Sequence, residues 1–195
     1  MRPRTNEPIT RRELIAASAF VPLSSLTLTA QSAPTLTAEH LRILTAFVDR
    51  LIPSDELGPG ALEAGVAEYI DRALGGAYAN RKPAVLEGLR ALDSYARGSH
   101  GGAFADLAPA MRDAAVQAVE NDEAFPGSRA FFVGIRSLTM EGMFGDPWYG
   151  GNRNFIGWDL IRYPGPRLAV SAEDQALKVA PAPYRRSARG ASGAR

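Results

Sequence analysis

Residues 37–53 read TAEHLRILTAFVDRLIP, and this run decides the fold class. Thr37 is a good N-cap, because a hydroxyl at that position accepts from an otherwise unpaired amide of the first turn. Leu41, Leu44, Val48 and Leu51 follow at three- and four-residue spacing. On a helix of 3.6 residues per turn, that spacing gathers them on one face. Pro53 ends the helix near Ile52, since it has no N–H to give and clashes with the preceding turn. A face of this kind is buried against other elements, so the rest of the chain must supply them.

Working outward, the same pattern recurs. The turn-rich run Ser54 to Gly60 precedes a second stripe of Leu62, Val66, Ile70 and Leu74, which stops at Gly75-Gly76. Pro83 opens a third helix with Leu86, Leu89 and either Leu92 or Tyr95 inward, broken by Gly98 to Gly102. Phe104 and Leu107 suggest a short turn. Pro109 starts a fourth helix with Met111, Ala115 and Val119 on one side. Pro126 leads into a fifth, carrying Phe131, Phe132, Ile135, Leu138 and Phe144 or Met143. No stretch shows the alternation of a strand. The expectation is an all-α fold, a small helical bundle with a long Gly-, Pro- and aromatic-rich loop region after it.

That loop region is the exception to the periodicity. Residues 142–165 read GMFGDPWYGGNRNFIGWDLIRYPG, with six glycines and two prolines, which argues against continuous helix. Both tryptophans of the chain lie here, Trp148 and Trp158, with two tyrosines and two phenylalanines. Aromatics at this density either plug the loop onto the bundle or face a partner. Phe144, Trp148, Tyr149, Asn152, Trp158 and Tyr163 are the candidate interface residues, Trp and Tyr being frequent interface anchors.

Composition bounds the chemistry. In 195 residues, 46% are hydrophobic and 22% charged, enough for one real core. There is no cysteine, so disulfides, thiolate metal sites, Fe–S clusters and a Cys nucleophile are excluded. Two histidines, His40 and His100, leave little room for a multi-His metal site. A net charge of +1 gives no reason to expect nucleic acid as a partner. The charge is uneven: residues 1–32 hold four arginines against two acids, 180–195 hold four arginines and no acid, and the body between is net acidic.

The first 32 residues read as an export signal. Arg11-Arg12 precedes Leu14 to Ala38, which contains no charged residue. The apolar run is shorter and weaker than the about 20 residues a membrane span needs. Ala30-Gln31-Ser32 offers small residues for cleavage after Ser32. The arginine pair with apolar residues behind it resembles a twin-arginine signal, read by the translocase that exports folded proteins. The domain plan is therefore a signal over 1–32, a helical domain over 33–167, and a basic tail over 168–195 that from about Ala180 is either disordered or wrapped around something else.

Catalytic parts are sparse. There is no Gly-x-Gly-x-x-Gly cradle, no phosphate loop and no Gly-x-Ser-x-Gly elbow. His40 occupies a polar position near the start of the first helix and is expected in solvent; His100 falls in a glycine-rich loop. Glu141, Asp146 and Asp159 flank the aromatic loop. They are expected to bond loop N–H groups or Arg136, Arg153 and Arg162 rather than to form a catalytic pair. Asp49, Asp55 and Glu56 cluster near the first helix end as ordinary solvated charges.

Several runs in order resemble the gluconate 2-dehydrogenase subunit 3 family. They are Val48-Asp49-Arg50-Leu51-Ile52-Pro53, Pro59-Gly60-Ala61, Ala64-Gly65-Val66 and Tyr69-Ile70-Asp71. Phe131-Phe132, Arg136 and Thr139-Met140-Glu141-Gly142 follow. The most specific run is Gly145-Asp146-Pro147-Trp148-Tyr149-Gly150-Gly151-Asn152, succeeded by Gly157-Trp158 and Tyr163-Pro164-Gly165. Two features depart from the pattern: Glu13 follows the arginine pair, and a basic tail extends beyond Pro166.

The resemblance implies the small, or gamma, subunit of a membrane-associated flavin-dependent sugar or sugar-acid dehydrogenase. It implies no catalytic, cofactor or metal residue in this chain, with FAD in a large partner subunit and often a cytochrome c subunit to take the electrons. It further implies that the small subunit helps the large one mature and escorts it through the twin-arginine translocase to the periplasm. Two rivals are a stand-alone periplasmic enzyme using Glu141, Asp146 or Asp159, and a sugar-binding module in which Trp148, Tyr149 and Trp158 stack on a ring.

Overall fold

The helix read from Thr37 onward runs Ala38–Leu51 (α1) in a computed structural model that describes residues 34–167, 169, 170, 172, 175 and 182–189. Arg11, Arg12 and the whole expected signal lie outside the described residues. The Thr37 hydroxyl caps α1 by accepting from the His40 N–H at 3.3 Å. The same hydroxyl lies 2.7 Å from His40 Nδ1, which holds the ring down. His40 is therefore buried rather than in solvent: its capping partner lies beside it, and the imidazole packs where a free polar side chain would have turned outward.

Five more α-helices follow among the described residues: Val66–Gly75 (α2), Lys82–His100 (α3), Pro109–Glu120 (α4), Ser128–Phe144 (α5) and Ile156–Leu160 (α6). No strand occurs among them, so the fold is all-α. α1 is the hub, since it packs on α2, α3, α4 and α5. Its Phe47 is fully buried and meets three other rings, at centroid distances of 5.7 Å (Phe131), 6.1 Å (Phe104) and 6.3 Å (Phe132). Rings at these separations and tilted angles gain beyond their area of burial. Leu44, Ile70, Leu89, Leu92, Ile135 and Met143 complete the centre of the core.

Four details differ from the periodic reading, each for a local reason. Leu62 is exposed, because 61–65 is a turn and α2 starts only at Val66; Ala61 and Ala64 are the buried residues there. Met111 is exposed in the first turn of α4, whose inward side is set by Ala115, Val116, Ala118 and Val119. α3 continues through Gly98 to His100, and its stop is Gly101, with φ +76°. His100 is thus the last residue of a helix, its ring edge-on to Tyr95 at 5.9 Å, and not part of a loop. α5 begins at Ser128, two residues past Pro126, after Gly127 at φ +79°.

Polar side chains pin the ends of these helices. Asp71 on α2 accepts from the N–H groups of Thr35 (3.2 Å) and Leu36 (2.6 Å), fixing the entry into α1. Asp93 on α3 is buried; it accepts from the Phe104 N–H at 2.9 Å and pairs with Arg97 at 2.8 Å. A buried carboxylate is tolerated when both oxygens are taken in this way. No described helix is long and apolar enough to cross a membrane.

Candidate functional site

The region after α5 is built on a different principle. Gly145 caps α5, and the chain then makes two 3₁₀ turns, Pro147–Tyr149 and Arg153–Phe155, before α6. Asn152, Asn154, Phe155 and Arg162 all have positive φ, between 44° and 63°. Non-glycine residues enter this region only where the surroundings over-determine it.

Asn152 is the centre of those surroundings, and it is buried. Its backbone N–H donates to the Gly142 carbonyl at 2.7 Å. Its Nδ2 donates to the Gly145 carbonyl and its Oδ1 accepts from the Gly157 N–H, both at 2.8 Å. One side chain thereby ties the end of α5 to the start of α6. Gly157 has to be glycine, because a Cβ there would collide with the Met143 carbonyl.

Trp158 closes the inner face. It is 5% exposed, and its Nε1–H donates to the Phe144 carbonyl at 2.9 Å. Phe155 and Tyr163 flank it at 5.4 and 5.0 Å. The loop is also tied to α2 and its approach: Arg72 Nη1 donates to the Tyr149 carbonyl at 3.1 Å, and the Arg153 N–H donates to the Ala64 carbonyl at 3.1 Å.

The six candidate interface residues therefore divide. Asn152 and Trp158 are internal parts of the loop, and Phe144 is half-buried beneath it. Trp148, Tyr149 and Tyr163 stand in solvent, at 44%, 50% and 41% exposure. Ile161 is exposed as well, and it lies with Tyr163 along one groove of the loop.

The three flanking carboxylates do not form a pair; each has its own partners. Glu141 Oε2 accepts from the hydroxyls of Tyr69 (3.0 Å) and Tyr78 (2.9 Å). Burial, and then the bond to Glu141, push the Tyr69 hydroxyl well above the ordinary tyrosine range. The Tyr78 hydroxyl is raised too, chiefly by its bond to the same carboxylate. Asp146 Oδ1 accepts from the Trp148 N–H at 2.9 Å, capping that turn. Asp159 pairs with Arg185 at 2.8 Å. Arg153, expected beside these acids, pairs instead with Glu68 on α2 at 3.7 Å. Near the end of α1, Asp49 lies beside Arg50 and Arg112, and Asp55 accepts from the Leu57 N–H. Among the described residues no group of three or more His, Asp or Glu side chains is placed to hold a metal ion.

Residues 182–189, expected as part of the basic tail, return to the loop. The Tyr184 N–H donates to the Pro164 carbonyl at 2.7 Å, and the Ala188 N–H donates to Asp146 Oδ2 at 2.8 Å. Arg189 stands over the Tyr149 ring at 5.6 Å. The only hint in the sequence was charge, arginines in the tail and acids in the loop. Tyr69, Tyr78 and Arg72 gave no local signal, because their partners are more than 60 residues away.

Comparison with curated proteins and with solved structures finds no match. The family model described as gluconate 2-dehydrogenase subunit 3 matches residues 38–165, from the first turn of α1 through the end of the aromatic loop, and the chain belongs to that family.

Proposed function

We propose that this chain is the non-catalytic small subunit of a flavin-dependent sugar or sugar-acid dehydrogenase complex. The family is one of gluconate 2-dehydrogenase subunits. The observation that carries the finer reading is the exposure of three rings, Trp148, Tyr149 and Tyr163, on one loop held internally by Asn152 and Trp158. Preorganised aromatic rings lose little entropy on docking and are a common form of interface anchor. The partner would be the large subunit, which holds the FAD, with a cytochrome c subunit as the electron acceptor of the complex.

Binding the native large subunit and not its unfolded chain raises the folded fraction of that partner by mass action. In this reading the small subunit supports maturation in that way, and Arg11-Arg12 direct the folded pair through the twin-arginine translocase to the periplasm. There the complex associates with the membrane.

The test is affinity capture of the full chain, tagged after Arg195, from cells that also make the large subunit, read by mass spectrometry and a flavin spectrum. The expected result is a stoichiometric FAD-bearing polypeptide. Arg11→Lys with Arg12→Lys should leave both subunits in the cytoplasm. A clean monomer without flavin overturns the reading; of the three rings of the sugar-stacking rival only Trp148 and Tyr149 are exposed, Trp158 being buried in the loop.

A further inference from the structure

α5 is apolar on both its inner and its outer side. It packs on α1, α2, α3 and α4, and its inward residues Phe132, Ile135, Leu138 and Met143 are buried. Among the described residues nothing covers the remaining face. At about 100° per residue, Arg129, Ala130, Val133, Arg136, Ser137 and Met140 share one arc of the helix. All six are exposed, Val133 at 54% and Met140 at 45%. Val133, Ser137, Met140 and Phe144 succeed one another at four-, three- and four-residue spacing, the seam by which one helix packs on another. Phe144 is half-buried and is also a wall of the loop groove of about 330 Å³ where Ile161 and Tyr163 lie. The seam therefore runs from the body onto the loop.

A helix that is apolar all round is ordinarily buried all round. Close approach is open here, because a Cβ on Gly134 would meet nothing within 4 Å, and Ala130 and Ser137 beside it are small. Charge selects what approaches. Arg136, expected beside the loop carboxylates, has no hydrogen bond or ion pair among the described residues. The Arg129 guanidinium reaches only the Glu120 carbonyl, at 3.3 Å. The one acid on α5, Glu141, is turned to Tyr69 and Tyr78. The seam is thus flanked by cations without carboxylates, and a guanidinium in that setting is matched by a carboxylate.

We propose that this face of α5 docks an acidic amphipathic helix of the large subunit. The apolar side of that helix covers Val133 and Met140, and its carboxylates pair with Arg136 and Arg129. The proposal rests on the small-subunit reading and adds a contact outside the aromatic loop. A second copy of this chain fits less well, because it would set arginine against arginine. A lipid surface fits less well too, since the face offers only two large exposed apolar side chains to insert.

The test is capture of the co-produced large subunit on the tagged full chain, read as flavin retained per chain. It compares the unaltered chain with Val133→Glu plus Met140→Glu, with Arg136→Glu and with Arg136→Lys. The double variant and Arg136→Glu should each retain about a tenth of the flavin or less, and Arg136→Lys most of it. The free variants should melt like the unaltered chain, because all three positions are exposed. If the double variant melts lower, the two Arg136 variants decide alone. Full retention by Arg136→Glu overturns the acidic partner, and full retention by every variant overturns the α5 face while the small-subunit reading stands. A dimer of the free chain that the variants abolish assigns the face to a second copy and overturns the proposal. Binding to phosphatidylglycerol vesicles that they abolish assigns it to lipid and does the same. If the unaltered chain captures no flavoprotein, the small-subunit reading fails and this proposal with it.

Discussion

The helical body and the aromatic loop are held together by opposite means. The body, α1 to α5, is organised around apolar stripes, with Phe47 at the centre and few polar groups inside. The loop from Gly145 to Gly165 is organised around polar atoms, with Asn152 making four hydrogen bonds, two of them through its side chain, and Trp158 donating to the carbonyl of Phe144. Burial of apolar area is non-directional and tolerates small shifts. A buried amide is directional, and it penalises any arrangement that leaves a partner unpaired. The body therefore supplies stability, and the loop supplies a defined shape. Trp148, Tyr149 and Tyr163 are displayed by the second kind of structure.

The sharpest way to break this division is to remove one large ring from each side. Phe47→Ala and Trp158→Ala should each cost about 3–5 kcal/mol locally, as large aromatic truncations in buried sites do. Trp158 is buried but is not part of the main core cluster. Hydrogen exchange should therefore rise throughout the helices in Phe47→Ala and only over the loop in Trp158→Ala. Equal, global loss of protection in both would make body and loop one cooperative unit.

Next in size is Asn152→Ala. It leaves the Gly145 carbonyl and the Gly157 N–H unpaired and asks alanine to hold a positive φ, so about 2–3 kcal/mol of loop stability should be lost. Exchange of the Gly157 amide reads this directly, and an amide still protected in the variant would show that another protein acceptor holds it without Asn152.

Trp148→Ala should be the mildest change for the free subunit, within about 0.5 kcal/mol by thermal melting, because the ring is substantially exposed. The same variant should weaken capture of the large subunit by about 2 kcal/mol, a hot-spot-sized loss. A melting loss as large as that of Trp158→Ala would place both tryptophans in the frame and leave no separate display surface.

Much of the body was legible. Thr37 as a cap, Pro53 as a stop and the spacing of Leu44, Val48, Ile70, Leu89 and Ile135 are local facts, and local hydrogen bonding and helical geometry act on them directly. Where local reading failed, the cause was also local but finer. Leu62 lies in the turn before α2 and Met111 in the first turn of α4 off its inward side, Gly98 was tolerated inside a helix held by its neighbours, and His40 was captured by its own cap residue. In the loop, the residue types pointed to an unusual region but could not say which aromatic faced which way. Trp148 and Trp158 are alike in sequence terms, both beside glycine- and proline-rich turns. Their roles separate because Asn152 and Gly157 fold the backbone so that one indole reaches the end of α5 and the other does not.

By itself, the sequence determined the helical class, the order of the helices, the boundary between body and loop, and the lack of cysteine chemistry. These follow from periodicity and composition, which neighbouring residues impose on one another. Only the tertiary structure decided that Glu141 is bound by Tyr69 and Tyr78, that Asn152 is a buried frame residue, and that residues 182–189 lie on the loop they follow. Those outcomes depend on contacts between residues distant along the chain, and such contacts are set by how the helices pack.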